Sequence, residues 1–133
     1  MTLVDSNVLL DVIQEDPKWG DWSEARLAEA LDRGVVIINP IIFAEVALAF
    51  ETQEQLESHF PLEEYERRPL PWTGAMVAAR AFLQYRRRGG LRATPLPDFY
   101  IGAHAQLENL TLLTRDAARY RTYFPRVKLI APG

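Results

Sequence analysis

The chain has 133 residues, 48% hydrophobic and 25% charged, with a formal net charge of −3 and no cysteine. These values describe one globular domain with room for a real core, and they exclude a disulfide framework and any thiolate metal site. No basic-then-apolar leader opens the sequence, and the most apolar stretch, residues 35–50, is broken by Asn39-Pro40 and carries Glu45, so no membrane span is expected and a reducing cytoplasm suits the composition.

Taken in chain order, Thr2-Leu3-Val4 reads as a short buried strand and residues 7–14 as a helix. Residues 21–32 space Trp22, Ala25, Leu27, Ala28 and Leu31 as an amphipathic helix stopped by Gly34. Val35-Val36-Ile37-Ile38 is a β-branched strand. Asn39-Pro40 starts a helix, with Asn as cap and Pro in the first turn, that runs to about Phe50. An acidic helix follows over residues 52–60, then a short edge strand from Tyr65 to Leu70. Residues 73–88 form a long helix ending at Gly89-Gly90, with Met76, Ala79, Phe82 and Leu83 as its core stripe. Beyond a loop at 91–97 come a helix at 98–108, a strand at 110–114, a helical turn at 116–120 and a last strand at 127–130. Alternating strands and helices, without an internal repeat or linker, predict a single three-layer α/β domain with a mostly parallel sheet.

Four acids, Asp5, Glu45, Asp98 and Asp116, interrupt or end apolar stretches. A buried ionised carboxylate costs several kcal/mol unless it is paired or binds a metal. In open parallel sheets, functional groups gather beyond the carboxyl ends of the strands. Asp5 follows the first strand, Asp116 follows the 110–114 strand, Glu45 lies in the helix after the 35–38 strand, and Asp98 opens a helix. All four can reach one rim of the sheet, where their mutual repulsion calls for a cation. Oxygen-only ligation selects Mg²⁺ or Mn²⁺ over zinc, and such a site suits phosphodiester hydrolysis.

Charge is distributed unevenly. Residues 1–66 hold 15 acids and 3 bases, net −12, whereas residues 67–133 hold 3 acids and 12 bases, net +9. Thirteen of the 15 bases are arginine, the residue suited to bidentate phosphate contacts. The basic part nearly excludes acids, yet two of its three are Asp98 and Asp116. Acidic surface helices facing basic ones would give the same imbalance.

Each acid has a plainer alternative. Asp5, Asp98 and Asp116 all precede or open helical segments, where carboxylates serve as caps. Glu45, the one charged residue between Val35 and Phe50, has a buried salt bridge as its alternative.

The segments carrying these acids resemble the PIN-domain nucleases, specifically the small VapC-type toxins of prokaryotic toxin–antitoxin pairs. The likeness rests on Leu3-Val4-Asp5-Ser6-Asn7-Val8-Leu9-Leu10, on Asn39-Pro40 through Glu45, on Pro97-Asp98-Phe99-Tyr100-Ile101-Gly102-Ala103-His104-Ala105, and on Leu112-Leu113-Thr114-Arg115-Asp116. Tyr120, Phe124-Pro125 and Leu129-Ile130-Ala131-Pro132 continue it to the C-terminus. The resemblance implies a three-layer α/β/α PIN-like fold and a Mg²⁺- or Mn²⁺-dependent endoribonuclease with Asp5, Glu45, Asp98 and Asp116 as metal-binding catalytic acids. It further implies that Asn7 and Thr114 orient the acids, and that the partners are an RNA substrate, a cognate antitoxin and a second copy in a homodimer.

Arg115, between Thr114 and Asp116, is a candidate for RNA or partner contact, as are Arg86, Arg87 and Arg88 at the end of the long helix. His104 is expected to be a buried histidine bonded to a backbone group, and Asp11 a solvated helix residue. Trp19, Trp22 and Trp72 fit core, partner groove or dimer surface equally. Two competing functions stand beside the nuclease. One is a receiver-like or phosphatase-like domain with Asp5 as phosphoryl acceptor, which needs a lysine near the site, and only Lys18 and Lys128 exist. The other is a non-enzymatic RNA-binding or scaffold module whose acids serve as caps and salt bridges.

Overall fold

The computed structural model describes residues 1–92 and 96–133, so the middle of the expected 91–97 loop lies outside the described residues. In chain order the elements are β1 (Thr2–Val4), α1 (Ser6–Ile13), α2 (Gly20–Asp32), β2 (Val36–Ile38), α3 (Pro40–Ala47), α4 (Gln53–Ser58) and β3 (Tyr65–Arg67). They continue with α5 (Trp72–Arg87), α6 (Pro97–Leu107), β4 (Thr111–Leu113), α7 (Ala118–Tyr123) and β5 (Leu129–Ile130). Every strand pairing is parallel, in the order β3-β2-β1-β4-β5. Helices flank this five-stranded sheet as a three-layer α/β/α fold. Parallel strands covered on both faces read as continuous apolar runs, and all three residues of β1 and of β2 are buried.

The order has a functional consequence. The chain steps outward from β1 through β2 to β3, then crosses back to place β4 on the other side of β1. The switch point between β1 and β4 is where an open α/β sheet leaves a crevice beyond its carboxyl ends. The register Val4 opposite Leu113 puts Asp5 and Thr114 side by side at that crevice.

Local signals account for most boundaries. The Asn39 side chain accepts from the Ile42 N–H at 3.0 Å with Pro40 in the first turn, and Thr52 caps α4 through the Gln55 N–H at 3.2 Å. Helix α5 stops where Gly89 takes a φ of +90°, a left-handed conformation that costs glycine little. Helix α3 ends at Ala47, three residues before the expected Phe50, because the chain tightens into i→i+3 bonds from Ala49 to Val46 and from Phe50 to Ala47. No helix among the described residues is long and apolar enough to cross a membrane.

The expected core stripe of α5 needs correction. Met76 and Leu83 are about half exposed, at 57% and 50%, whereas Gly74, Ala78, Ala81 and Phe82 face inward. Helix α5 packs on α6 through its small residues, which let the two backbones approach closely, and this turns the larger side chains toward solvent. Trp72 is 93% exposed, while Trp19 and Trp22 are half-buried and meet edge to face at 6.2 Å.

Phe99, Tyr120 and Phe124 are among the largest fully buried side chains, and they lock α6 to the C-terminal segment. Gly102 makes this possible, since a Cβ there would stand 2.4 Å from the Phe124 ring. Gly102→Ala is therefore expected to lower unfolding stability by about 1–3 kcal/mol, because the buried ring has nowhere to move. Urea denaturation checks this, and an unchanged midpoint contradicts the packing described.

Candidate active site

The site is built outward from Asp5. Leaving β1, its N–H still donates to the Leu113 carbonyl at 2.8 Å, which fixes the residue beside β4. With extended backbone it caps α1, Oδ1 accepting from the Ser6 N–H at 2.8 Å. The other oxygen, Oδ2, accepts from Thr114 Oγ1 at 2.9 Å and from the Tyr120 hydroxyl at 2.9 Å, with Asn7 Nδ2 at 3.5 Å. Cap and site acid are thus the same residue. The carboxyl is 3% exposed, and its pKa is pushed up to about 6, first by burial and then by the Asp98 charge, with a smaller push from Glu45. The Tyr120 and Thr114 bonds oppose that rise without cancelling it.

Glu45 projects from α3, the helix launched by the Asn39 cap, and its Oε1 accepts from Ser6 Oγ at 2.9 Å. Burial and then Asp98 raise its pKa, while the Ser6 bond lowers it. It forms no ion pair among the described residues, which speaks against the salt-bridge alternative. Asp98 follows Pro97 in the first turn of α6 and makes no cap bond. Its Oδ1 accepts from the Tyr120 hydroxyl at 3.4 Å and its Oδ2 from Arg119 Nη1 at 3.2 Å. Burial still outweighs the arginine, so its pKa is raised overall. Asp116 is exposed beyond β4, and its charge is felt at Asp98. Its own N–H donates to Thr114 Oγ1 at 3.2 Å, so Thr114 ties the two ends of this loop to Asp5.

Three residues of this arrangement were not singled out for a site role from the sequence: Ser6, Arg119 and Tyr120. Tyr120 is buried and reaches both Asp5 and Asp98, and burial beside those carboxyls holds its phenol well above the usual range. The signal available in the sequence was the family likeness, whose C-terminal part includes Tyr120. Asn7 joins α1 to the loop after β4, with Nδ2 3.4 Å from Thr114 Oγ1 and Oδ1 accepting from the Arg115 N–H at 3.1 Å.

Asp11 is not solvated as expected but 3% exposed. It accepts from Ser23 Oγ at 2.8 Å and from both Nε and Nη2 of Arg115, at 2.8 and 3.1 Å. The Arg115 guanidinium lies over Trp19 at 5.8 Å, so this side chain clamps α1, α2 and the loop after β4 together. Arg86 donates to the Arg92 carbonyl at 2.7 Å, and Arg87 and Arg88 are exposed. His104 is fully buried, as expected, but Nδ1 meets a side chain and not a backbone group, Asn39 Nδ2 at 2.9 Å, while Nε2 lies 3.2 Å from Glu108 without a hydrogen bond. By holding Asn39, it braces the cap that launches the Glu45 helix.

A cleft of about 360 Å³ opens beside the acids, lined by Tyr85, Asp98, Asp116, Arg119 and Tyr123. Among the described residues, no three Asp, Glu or His side chains stand close enough to share one ion. Asp98 leans on Arg119 and Glu45 on Ser6, both through side chains able to turn. The donor set is all oxygen, and Asp5, Glu45 and Asp98 each hold a proton more tightly than usual, first because burial penalises the charged form and then because neighbouring acids repel it. That chemistry fits a hard divalent cation. No lysine lines this cleft, and Lys128 instead faces a hollow with Met1, Thr2 and Thr111 at the amino ends of the strands.

The sequence matches the family described as PIN domain over residues 2–125. No curated protein matches it. Among solved structures, VapBC2 from Rickettsia felis, bound to a DNA fragment from its promoter, is similar at 19% identity with a TM-score of 0.74, covering 99% of this chain and 98% of that one. VapBC-1 from nontypeable Haemophilus influenzae is similar at 16% identity and a TM-score of 0.71, covering 98% and 96%. A toxin-antitoxin complex from Klebsiella pneumoniae is similar at 23% identity and a TM-score of 0.63, covering 90% of each chain. At these identities the likeness speaks for the fold, and the family match spans β1 to the segment after α7. With the acids set at the switch point of a parallel five-stranded sheet, the chain belongs to the PIN-domain family.

Proposed function

We propose that the protein is a divalent-metal-dependent endoribonuclease of the VapC type, the toxin of a toxin–antitoxin pair. The observation that carries this is the Asp5 carboxyl: buried at the switch point, held by Thr114 and Tyr120, and raised in pKa first by that burial and then by Asp98 and Glu45. Structural tasks alone give no reason to set two further acids beside one buried carboxyl, since repulsion of this kind costs stability. Support for the toxin reading comes from the PIN-family match and from the fold likeness to a toxin-antitoxin complex. A cognate antitoxin and a homodimer belong to the same proposal.

Asp5, Glu45, Asp98 and Asp116 would hold the Mg²⁺ or Mn²⁺. When bound, such a cation supplies Lewis acidity toward a phosphoryl oxygen and offsets developing negative charge. The protein's own part is positioning. Donors on both Asp5 oxygens fix that carboxylate. Tyr120 links it to Asp98, and Ser6 steadies Glu45. Asn7 and Thr114 hold the loop that carries Asp116 against α1.

The scaffold alternative loses ground on geometry, since Asp98 makes no cap bond and α7 has no side-chain cap. The phosphoryl-acceptor alternative lacks its lysine at the cleft.

Total RNA incubated with Mg²⁺ or Mn²⁺ should be cut, and chelator should stop cleavage. Asp5→Asn and Asp98→Asn should each reduce the rate by at least about 100-fold, as expected for groups touching a catalytic metal. Cleavage indifferent to chelator, or intact in both variants, removes the proposal.

Glu45→Gln should abolish cleavage while metal-free thermal stability holds or rises, because one repelling charge is gone. A large fall in melting temperature in chelator would instead assign Glu45 a structural ion pair.

The raised carboxyls also set a pH dependence. A folded pKa above the unfolded one means protonation favours the folded state, so this stabilisation is complete below about pH 4 and is lost as pH rises through about 6 for Asp5. Glu45 and Asp98 act in the same direction. In chelator, melting temperature should therefore decline from pH 5 toward pH 7, and added Mg²⁺ should reverse the decline most strongly at the upper end, where protons no longer compete. A metal-free melting temperature that climbs across this window contradicts the crowding described.

A further inference from the structure

The cleft beside the acids presents a problem for the substrate just proposed. Asp98 and Asp116 line it, with Asp5 and Glu45 close enough to feel the Asp98 charge, so the acids repel a polyanionic strand, and one divalent cation offsets only half of a four-carboxylate charge. A strand entering there needs a fixed cation of the protein's own at the rim. The arginine-rich second half of the chain offers eleven, and four of them are occupied elsewhere. Buried Asp11 holds Arg115 through two hydrogen bonds, Arg86 donates to the Arg92 carbonyl, and Arg67 and Arg68 pair with Glu57, Glu66 and Glu108.

Arg119 is placed differently. It lines the cleft with Asp98 and Asp116, three residues past Asp116 in the chain. Its guanidinium lies 5.7 Å from the Tyr85 ring and 5.8 Å from the Phe99 ring, an aromatic bed that holds the plane in place. Nη1 donates to Asp98 Oδ2 at 3.2 Å, while Nε and Nη2 make no hydrogen bond to the described residues. The side chain is 36% exposed, and an ion pair this open contributes little to stability. What remains is a pre-oriented fork beside the reacting centre, matched in shape to a phosphate.

We propose that Arg119 is a substrate-binding residue of this site, gripping an RNA phosphate next to the one that is cleaved. This rests on the nuclease reading, and the experiment separates the two. The probe is a fluorescein-labelled single-stranded oligoribonucleotide of mixed sequence. Binding is followed by anisotropy at several salt concentrations in an Asp5→Asn background, and cleavage is followed with Mg²⁺ in the otherwise unaltered chain.

Arg119→Gln should weaken binding by about tenfold or more and raise KM in proportion with a smaller change in kcat, as for a lost charge-assisted hydrogen bond. The slope of log affinity against log salt should fall in magnitude by roughly 0.7, one single-strand phosphate contact. Arg119→Lys should restore the slope but only part of the affinity, because the fork is gone. Arg33→Gln, at the amino ends of the strands, should change neither. Unmoved KM and slope in a folded Arg119→Gln protein overturn the proposal, as does a fall in kcat alone, which would make Arg119 a positioning residue for Asp98. An equal loss from Arg33→Gln overturns it in favour of diffuse attraction. A parent chain that binds but never cuts removes the nuclease reading and leaves the Arg119 contact standing, and one that does neither removes both.

Discussion

The arrangement depends on one constraint, the burial of the Asp5 carboxyl at the mouth of the sheet. Taking an ionised carboxylate out of water costs several kcal/mol unless donors replace the lost hydration. The fold answers with the Ser6 amide, the Thr114 hydroxyl and the Tyr120 hydroxyl, drawn from α1, the end of β4 and α7. The two hydroxyls tie remote parts of the chain to β1. The same burial keeps the carboxyl reluctant to ionise and, with a further push from Asp98 and a smaller one from Glu45, raises its pKa to about 6. Stability and site chemistry therefore pull against each other at one atom group, the usual condition of an active site.

Around that group the chain builds two shells of opposite character. The inner shell is made of acids with few cationic partners, and among the described residues Arg119 on Asp98 is the one arginine bonded to any of the four. The outer shell is largely paired, His104 Nε2 being its one buried polar side-chain atom without a hydrogen bond among the described residues. Asp11, Arg115, Ser23 and Trp19 form a closed cluster that joins α1 and α2 to the loop after β4. His104, Asn39 and Glu108 do the same beneath the helix that carries Glu45. Polar contacts in the outer shell hold the mutually repelling inner acids in register, because a crowded set of like charges would otherwise spread apart.

The apparent segregation of charge along the chain is resolved the same way. The acidic half supplies Asp5 and Glu45 and the basic half supplies Asp98, Asp116 and Arg119, so the site is where the two halves meet. Arg115 illustrates how sequence position misleads. Its place between Thr114 and Asp116 suggested an outward-facing contact residue, yet the Asp11 carboxylate, 104 residues away in sequence, turns it along α1.

Much of this was legible in the residues themselves. The β-branched and apolar runs of β1 and β2 marked strands buried on both faces, Asn39-Pro40 marked the start of α3, and Gly89 marked the end of α5, because caps and strand propensities act over a few neighbouring residues. Four acids set against apolar neighbours were equally visible, since a carboxylate in such a context requires an explanation wherever the chain goes. Tertiary packing alone decided the rest. Which face of α5 turns inward followed from how closely α6 could approach its glycine and alanines, and Met76 and Leu83 were left outside. Asp11 became a buried clamp, Tyr120 a shared donor and Arg119 a rim cation because strand order brought residues from opposite ends of the chain to one crevice. Pairings across a hundred residues are fixed by the sheet's crossover, and no short stretch of sequence encodes them.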